Sequence, residues 1–98
     1  MENLTTKQRA KLRSLAQEID TIAQFGKGDL TSEQITMIDL ALKKRELIKC
    51  SVLESSPYTP RELAELLSGA TDATVVTTIG HKFVMFRRNK EKPVIKLD

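Results

Sequence analysis

The sequence predicts one compact α/β domain in which three helices and four strands follow the order αβαβαββ. Its 98 residues are the length of a single domain with one core. Apolar residues recur at helical spacing in three segments, and strand-like runs separate these segments. Only Gly80-His81 joins the last two strand-like runs, which is typical of a β-hairpin. Such alternation implies helices packed on a mixed four-stranded sheet.

The first predicted helix is capped by Thr5 or Thr6 and runs to about Glu18. Its apolar positions repeat at i, i+3, i+4 and i+7, and they are Leu12, Leu15, Ala16 and Ile19. A short strand, residues 21–25, follows and ends at a glycine loop. The second helix is capped by Thr31, which forms a capping box with Gln34. Its apolar positions are Ile35, Ile38 and Leu42, and it ends in the cations Lys43, Lys44 and Arg45.

The pattern of the second half of the chain predicts a strand, a third helix and then two strands that form a hairpin. Residues 47–53 alternate, with Ile48, Cys50 and Val52 on one face. A capping box from Thr59 to Glu62 opens the third helix, whose expected buried stripe is Leu63, Leu66, Leu67 and Ala70. Residues 73–79 and 82–86 are rich in β-branched and aromatic side chains, and at least one of Phe83 and Phe86 should be core. The tail from Asn89 to Asp98 could add a strand, which Pro93 would restrict to a sheet edge.

The charge of the chain is mildly basic but strongly clustered. Sixteen Lys and Arg residues face thirteen Asp and Glu residues, for a net charge of +3. The bases gather near both ends and in the middle, at Lys7, Arg9, Lys11, Arg13, Lys43, Lys44, Arg45, Arg87, Arg88, Lys90 and Lys92. On a helix, Lys7 and Lys11 would border the apolar stripe on one side, and Arg9 and Arg13 on the other. This distribution favours a polyanion partner, although a merely solvated helix face has the same pattern.

The loop Gly26-Lys27-Gly28-Asp29 resembles the GxxG loops that hold a nucleic-acid backbone. Its place between a strand and a helix would present backbone N–H groups to a phosphate. Asp29 opposes this, because at about 6 Å a carboxylate repels a phosphate by roughly 0.7 to 3 kcal/mol. The alternative is an ordinary strand-to-helix turn.

An enzyme is not supported by the sequence. No nucleophile elbow, HExxH or Walker motif is present, and the lone His81 falls in the predicted hairpin turn. The single cysteine, Cys50, lies in a strand-like run and is expected to be a small core residue. Without cysteine pairs, signal peptide or a long apolar run, we expect a cytoplasmic protein with no membrane contact, no cofactor and no metal.

Four stretches, in the right order, resemble the CRM domain, the chloroplast RNA splicing and ribosome maturation family, in its stand-alone bacterial form. They are LTTKQRAKLRSLA (4–16), FGKGDLT (25–31), RELIKCSVL (45–53) and IGHKFVMFRR (79–88). The resemblance implies a fold similar to the C-terminal domain of translation initiation factor three. It also implies RNA binding and association with assembling large ribosomal subunits. Asp29 departs from the family pattern, which usually has glycine at this position.

The resemblance and the charge pattern together give the expected RNA-binding residues. These are Lys7, Arg9, Lys11, Arg13, Gly26, Lys27, Gly28, Arg45, Lys49, Arg87 and Arg88. The leading hypothesis is a non-catalytic, monomeric protein that grips ribosomal RNA electrostatically and has no small-molecule substrate. The alternative is a protein-binding adaptor of ribosome assembly that uses a sheet edge or the third helix.

Overall fold

The computed structural model describes residues 2–97, and its elements follow the predicted order. The helices are α1 (Thr6–Ala16), α2 (Ser32–Arg45) and α3 (Pro60–Thr71). The strands are β1 (Thr21–Phe25), β2 (Leu47–Val52), β3 (Thr74–Ile79) and β4 (Lys82–Phe86). The predicted α/β class is confirmed. Within residues 89–97 no strand forms, so the additional edge strand is not present there.

The four strands form one mixed sheet in the order β1-β2-β4-β3. β1 is parallel to β2, and β4 is antiparallel to both of its neighbours. Three loops therefore meet at one end of the strands, which we call the loop edge: residues 26–29, 53–58 and 80–81. Backbone hydrogen bonds from Leu53 N to Phe25 O (2.8 Å) and from Val52 N to His81 O (2.7 Å) join them. The opposite end, the tail edge, holds the start of β2, the end of β4 and residues 87–97.

Helices lie on both faces of the sheet, so the central strands β2 and β4 are buried on two sides over most of their length. Phe83 and Met85 of β4 belong to the apolar cluster formed with α2 and α3. Val84 and Phe86 alternate with them and belong to a second cluster formed with α1. Both phenylalanines are fully buried, which agrees with the expectation that at least one of them would be core. The same alternation buries both faces of most of β2, including Leu47 and Ile48.

The buried face of α3 differs from the expected stripe. Leu63 and Leu67 are buried as predicted, but Leu66 is 47% exposed and Ala70 also faces solvent. The buried positions instead include Ser68 and Thr71. The Thr71 hydroxyl donates to Leu67 O (2.7 Å), and the Ser68 hydroxyl donates to Ala73 O. Polar side chains that satisfy their hydrogen bonds locally can be buried, which an apolar pattern does not reveal.

A fully buried carboxylate, that of Glu46, anchors the tail. Glu46 follows α2 with φ of 64°, a backbone conformation that is uncommon for a residue other than glycine. Its side chain accepts hydrogen bonds from three backbone N–H groups, those of Asn89 (2.6 Å), Val94 (2.7 Å) and Ile95 (2.6 Å). Its carbonyl accepts from Arg87 N at 2.9 Å. The tail is thereby held against the junction of α2 and β2 without forming a strand.

Each helix begins with a capping box, as predicted for α2 and α3. The pairs are Thr5 with Gln8, Thr31 with Gln34, and Thr59 with Glu62. Only the last pair has an ionisable acceptor. The Thr59 backbone N–H, 2.9 Å from the carboxylate, is the main cause that lowers the pKa of Glu62, and the Thr59 side chain adds to it.

Replacing Glu46 by Gln should destabilise the fold. One amide oxygen cannot accept all three N–H groups, and the new NH₂ group would face a donor. We expect the free energy of unfolding to fall by about 2–3 kcal/mol, measured by urea denaturation. Glu91→Gln, which changes an exposed acid on the same tail, is the matched control. An equal loss in both variants would contradict the anchoring role.

The Glu62 capping box should make stability depend on pH in the acid range. Because folding lowers the pKa of Glu62, its stabilisation is present above the ordinary value of 4.5 and is lost as the pH falls through the lower folded-state pKa. Glu62→Gln removes the titrating group. Its free energy of unfolding should therefore fall less between about pH 6 and about pH 3 than that of the unmodified protein. Urea titrations across this range measure the difference, and parallel curves would refute it.

Candidate nucleic-acid interface

α1 lies across one face of the sheet and presents its cations on two flanks. Leu12 and Ala16 are buried beneath it. Lys7, Lys11 and Arg13 are exposed, whereas Arg9 is half-buried. The Lys11 ammonium donates to Lys96 O, so its flank faces the tail edge. The opposite flank, with Arg9 and Arg13, therefore faces the loop edge.

Arg9 is bound to the edge of the sheet. Its guanidinium donates to Val75 O (2.8 Å) and to Val76 O (2.5 Å). The β3–β4 register shifts between Val75 and Thr77, so Val76 is the extra residue of a bulge. A bulge on an edge strand leaves carbonyl groups without ladder partners, and Arg9 supplies the donor. Its main observed contacts are thus within the protein.

The loop 26–29 lies at the loop edge in the form that its glycines allow. Gly28 has φ of 99°, and a Cβ added there would meet nothing within 4 Å, so conformation and not space requires glycine. At Gly26 an added Cβ would lie 3.3 Å from Leu53 Cδ1, so this glycine permits close contact with the neighbouring segment. The side chain of Lys27 is exposed. The loop therefore offers an open backbone at Gly28 and one cation.

Asp29 is directed toward the adjacent loop. The Tyr58 hydroxyl donates to Asp29 Oδ1 at 3.4 Å, a long hydrogen bond between two loops of the loop edge. Glu33 in the first turn of α2 adds a second carboxylate near this end of the helix. Both carboxylates disfavour a phosphate directly on the α2 N-terminus. Lys27 and Gly28 are the parts of the loop best suited to an anion.

Beyond α1, toward the loop edge, one row of side chains crosses the sheet without a helix above it. The register places Gln24, Ser51, Lys82 and Ile79 side by side on the four strands. We call these four residues the open row. Gln24, Ser51 and Lys82 line, with Thr21, Ile22, Ala23 and His81, a depression of about 460 Å³, and Ile79 continues the row on β3 beyond this lining.

Lys49 connects α1 to the open row. It lies on β2 on the same face as Ser51, and its ammonium donates to Ala16 O at 2.7 Å, which caps the end of α1. Two of its three donors remain for another acceptor. Lys82 lies diagonally across from Lys49 on β4, which corresponds to about 7–8 Å.

The sequence reasoning did not identify Gln24, Ser51 or Lys82 as site residues. The sequence held part of the information. Lys49 and Ser51 alternate with buried residues of β2, which places the two side chains on the same face of the sheet. Their neighbours across the sheet depend on strand order and register, which the sequence pattern does not specify.

The remaining predicted cations lie at the tail edge, away from the loop 26–29. The Arg87 guanidinium binds Asp39 Oδ1 (2.6 Å), Asp39 O (2.9 Å) and Thr71 O (2.8 Å), and so joins α2, α3 and β4. Arg88 pairs with Glu2 at 2.9 Å and lies 5.9 Å from the centre of the Phe86 ring. The hydrogen bond to Glu2 raises the pKa of Arg88. Arg45 is exposed in the last turn of α2. The predicted residues therefore form two groups rather than one continuous surface.

The described residues do not meet the requirements of a metal site, a reactive thiol or a membrane span. In residues 2–97 no three His, Cys, Asp or Glu side chains are placed to hold a metal ion. Burial raises the pKa of the Cys50 thiol to about 12, so the thiol is protonated and unreactive. Cys50 is thus the small core residue that was predicted. None of the helices in this part of the chain is long and apolar enough to cross a membrane.

A comparison with known protein families shows which family the chain belongs to. The model of the CRS1/YhbY (CRM) domain matches residues 4–87, which is most of the chain. The chain belongs to the CRS1/YhbY (CRM) domain family. The resemblance inferred from the sequence is thereby confirmed.

Two relatives and one solved structure are similar to this CRM domain over nearly their whole length. The Bacillus subtilis (strain 168) protein YqeI, named a probable RNA-binding protein, is 39% identical over 94 residues, which cover 96% of this chain and 98% of YqeI. A Haemophilus influenzae protein named an RNA-binding protein is 32% identical and covers 96% of this chain and 95% of its own. The solution structure of SAV1595 from Staphylococcus aureus, proposed to bind RNA, has a TM-score of 0.79 and 46% identity. It covers 98% of this CRM domain and 100% of SAV1595.

Arg9 and Arg13 lie one turn apart on α1 and should respond differently to truncation. Arg9→Ala removes the donor for two carbonyl groups at the β3 bulge, and we expect a loss of about 1–2 kcal/mol. For a domain of this size each kcal/mol lowers the melting temperature by about 4–8 °C. Arg13→Ala removes an exposed side chain and should change stability by less than about 0.5 kcal/mol. Thermal denaturation measures both, and equal shifts would contradict the structural role of Arg9.

Proposed function

We propose that this chain is a non-catalytic RNA-binding protein of the cytoplasm that acts on ribosomal RNA during assembly of the large (50S) ribosomal subunit. Its membership of the CRM family and the names of its relatives support RNA as the partner. The observation that carries the proposal is an array of unpaired cations on the α1 face and the loop edge. This cationic strip consists of Lys7, Arg13, Lys49, Lys82 and Lys27.

The strip differs from Arg61, Arg87 and Arg88 because its charges are not neutralised by carboxylates. Within residues 2–97, no member of the strip makes an ion pair with a carboxylate, whereas Arg61, Arg87 and Arg88 each do. Unpaired cations release counterions from a nucleic-acid backbone on binding, and this supplies most of the sequence-independent affinity.

The strip favours recognition of RNA shape over sequence. The aromatic content is 4%, and the aromatic rings of β4, Phe83 and Phe86, are fully buried. Base stacking on aromatic side chains is thus a minor source of affinity. Contacts to phosphates position a protein on its target and carry no direct sequence information. A folded ribosomal RNA supplies a specific arrangement of phosphates for such a surface.

The other predicted residues remain part of the proposal, but they differ in how much each could contribute to RNA binding. Gly26 and Gly28 would give the loop backbone its approach to RNA. Arg9, Lys11, Arg87 and Arg88 already donate to acceptors in the protein, as Lys49 of the strip also does, so each would contact RNA only with donors that are left over. Arg45 is exposed at the tail edge and would require RNA that extends around α2.

A protein-binding adaptor of ribosome assembly is the second candidate. The observation in its favour lies on the helices of the other face, where Met37 and Leu40 of α2 and Leu66 of α3 are 44%, 59% and 47% exposed. Acidic side chains lie on the same two helices, at Glu33, Glu62 and Glu65. This candidate predicts that the protein binds a basic assembly partner and has little affinity for naked RNA.

Binding to protein-free large-subunit ribosomal RNA tests the proposal. With five cations engaged, the slope of log K against log[salt] should be about −3.5 to −4.5, the range between single strands and duplexes. Lys27→Glu and Arg13→Glu should each weaken binding by about five- to thirtyfold near 0.1 M salt. Fluorescence anisotropy titrations at several salt concentrations measure both quantities.

Arg61→Glu is the matched control, because it makes the same charge change at an exposed arginine on the opposite face. If Arg61→Glu weakens binding as much as Arg13→Glu, only net charge matters and the strip is not the interface. Absence of binding by the unmodified protein at low salt would reject RNA recognition and favour the adaptor.

A further inference from the structure

We infer that the open row is a binding site for one unpaired nucleotide of the bound RNA, held by hydrogen bonds from Ser51 and Gln24. This inference rests on the proposed function and adds a second mode of contact to it. The cationic strip binds phosphates, whereas the open row would bind the sugar or base edge of a nucleotide that has left its helix.

The first observation is a buried hydroxyl without a partner. Ser51 is 3% exposed, and its Oγ has no hydrogen-bond partner among the described residues. It is the single side-chain atom of this kind in residues 2–97. A buried polar group left unsatisfied costs about 1–3 kcal/mol, so such a group in a native structure requires an explanation. A ligand that bonds to the hydroxyl provides one.

The second observation is the surroundings of that hydroxyl. Ser51 lines the depression of about 460 Å³ beside α1, which is within the range of about 300–1,000 Å³ typical of small-ligand sites. Its neighbours in register are Gln24 on β1 and Lys82 on β4. Both have long, flexible side chains that can turn outward and uncover the hydroxyl. An amide and a hydroxyl both donate and accept, as the ribose 2′-hydroxyl and the base edges do.

The third observation is the charge and polarity at the rim. Lys82 is half-buried in the row, and His81 is exposed next to it at the hairpin turn. With Lys49 on the other side, these residues can hold the phosphates that flank a nucleotide in the depression. At the β3 end of the row, beyond the lining of the depression, Ile79 is 59% exposed and provides an apolar surface without an aromatic ring. The site is therefore suited to hydrogen bonding and phosphate contact more than to stacking.

An unpaired nucleotide fits this concave site better than a duplex does. The bases of a helix are stacked inside, so a duplex presents mainly its phosphates and hydroxyl groups along a convex surface. An unstacked nucleotide in a loop or bulge can enter a depression and expose its polar edge. The open row lies between α1 and the loop 26–29, so RNA bound to the strip would pass over it.

Ser51→Ala tests the inference against an unstructured RNA of ten nucleotides and a blunt RNA duplex of ten base pairs. We expect the variant to bind the single strand about two- to tenfold more weakly, the effect of one hydrogen bond. Its salt slope should be unchanged, because no cation is lost. Its affinity for the duplex should also be unchanged. Thr78→Ala, which removes an exposed hydroxyl from the opposite face of β3, is the control and should alter neither affinity.

A stability measurement separates binding from folding. Removing an unsatisfied buried hydroxyl should leave the free energy of unfolding unchanged or raise it, so weaker binding by Ser51→Ala would not reflect unfolding. Lys82→Gln should weaken both RNAs and reduce the magnitude of the single-strand salt slope by about 0.7.

Unchanged single-strand binding by Ser51→Ala, or equal weakening of single strand and duplex, would overturn the inference. If Arg13→Glu weakens RNA binding while Ser51→Ala does not, the nucleotide site fails and the proposed function stands. If the unmodified protein binds neither RNA, both fail.

Discussion

The buried carboxylate of Glu46 is the interaction on which the arrangement of the tail and α1 depends. Burying a carboxylate and holding a glutamate at φ of 64° are both unfavourable. Three backbone N–H groups of the tail offset this cost through charge-assisted hydrogen bonds. The anchored tail brings Leu97 into the cluster beneath α1 and Lys96 O to the Lys11 ammonium. One residue thus joins α2, β2, β4 and the first helix.

The same packing neutralises some of the cations and leaves others without a carboxylate partner. At the tail edge, Arg87 and Arg88 are paired with Asp39 and Glu2, and they act as ties between elements. On the α1 face and at the loop edge, the members of the cationic strip have no such carboxylate partners in the part of the chain described. Arg87 and Arg88 are thus used within the protein, whereas the strip keeps its charge for an external anion.

The open row results from a mismatch in covered area between the two faces of the sheet. Two helices, α2 and α3, cover one face, whereas α1 alone, with 11 residues, lies on the other. Its length is about 16 Å, and the width of a helix is about 10 Å, which is less than the length of the strands it crosses. The uncovered strand ends at the loop edge therefore retain the open row, in which Gln24, Ser51 and Lys82 are polar. The open row, which can form hydrogen bonds, therefore lies next to the cationic strip, which can bind phosphates.

The sequence by itself determined the elements, because capping boxes, apolar spacing and the Gly80-His81 turn act over a few residues. It also determined which residues carry charge, and the resemblance at RELIKCSVL and its companions determined the family. Only the tertiary structure decided which charged side chains are free to bind a partner and which are engaged within the protein. Arg9 and Arg13 belong to one helical row, yet the bulge of β3 engages only Arg9, and no local pattern encodes that bulge. Likewise Gln24, Ser51 and Lys82 are far apart along the chain and become neighbours through strand order and register, which long-range packing sets.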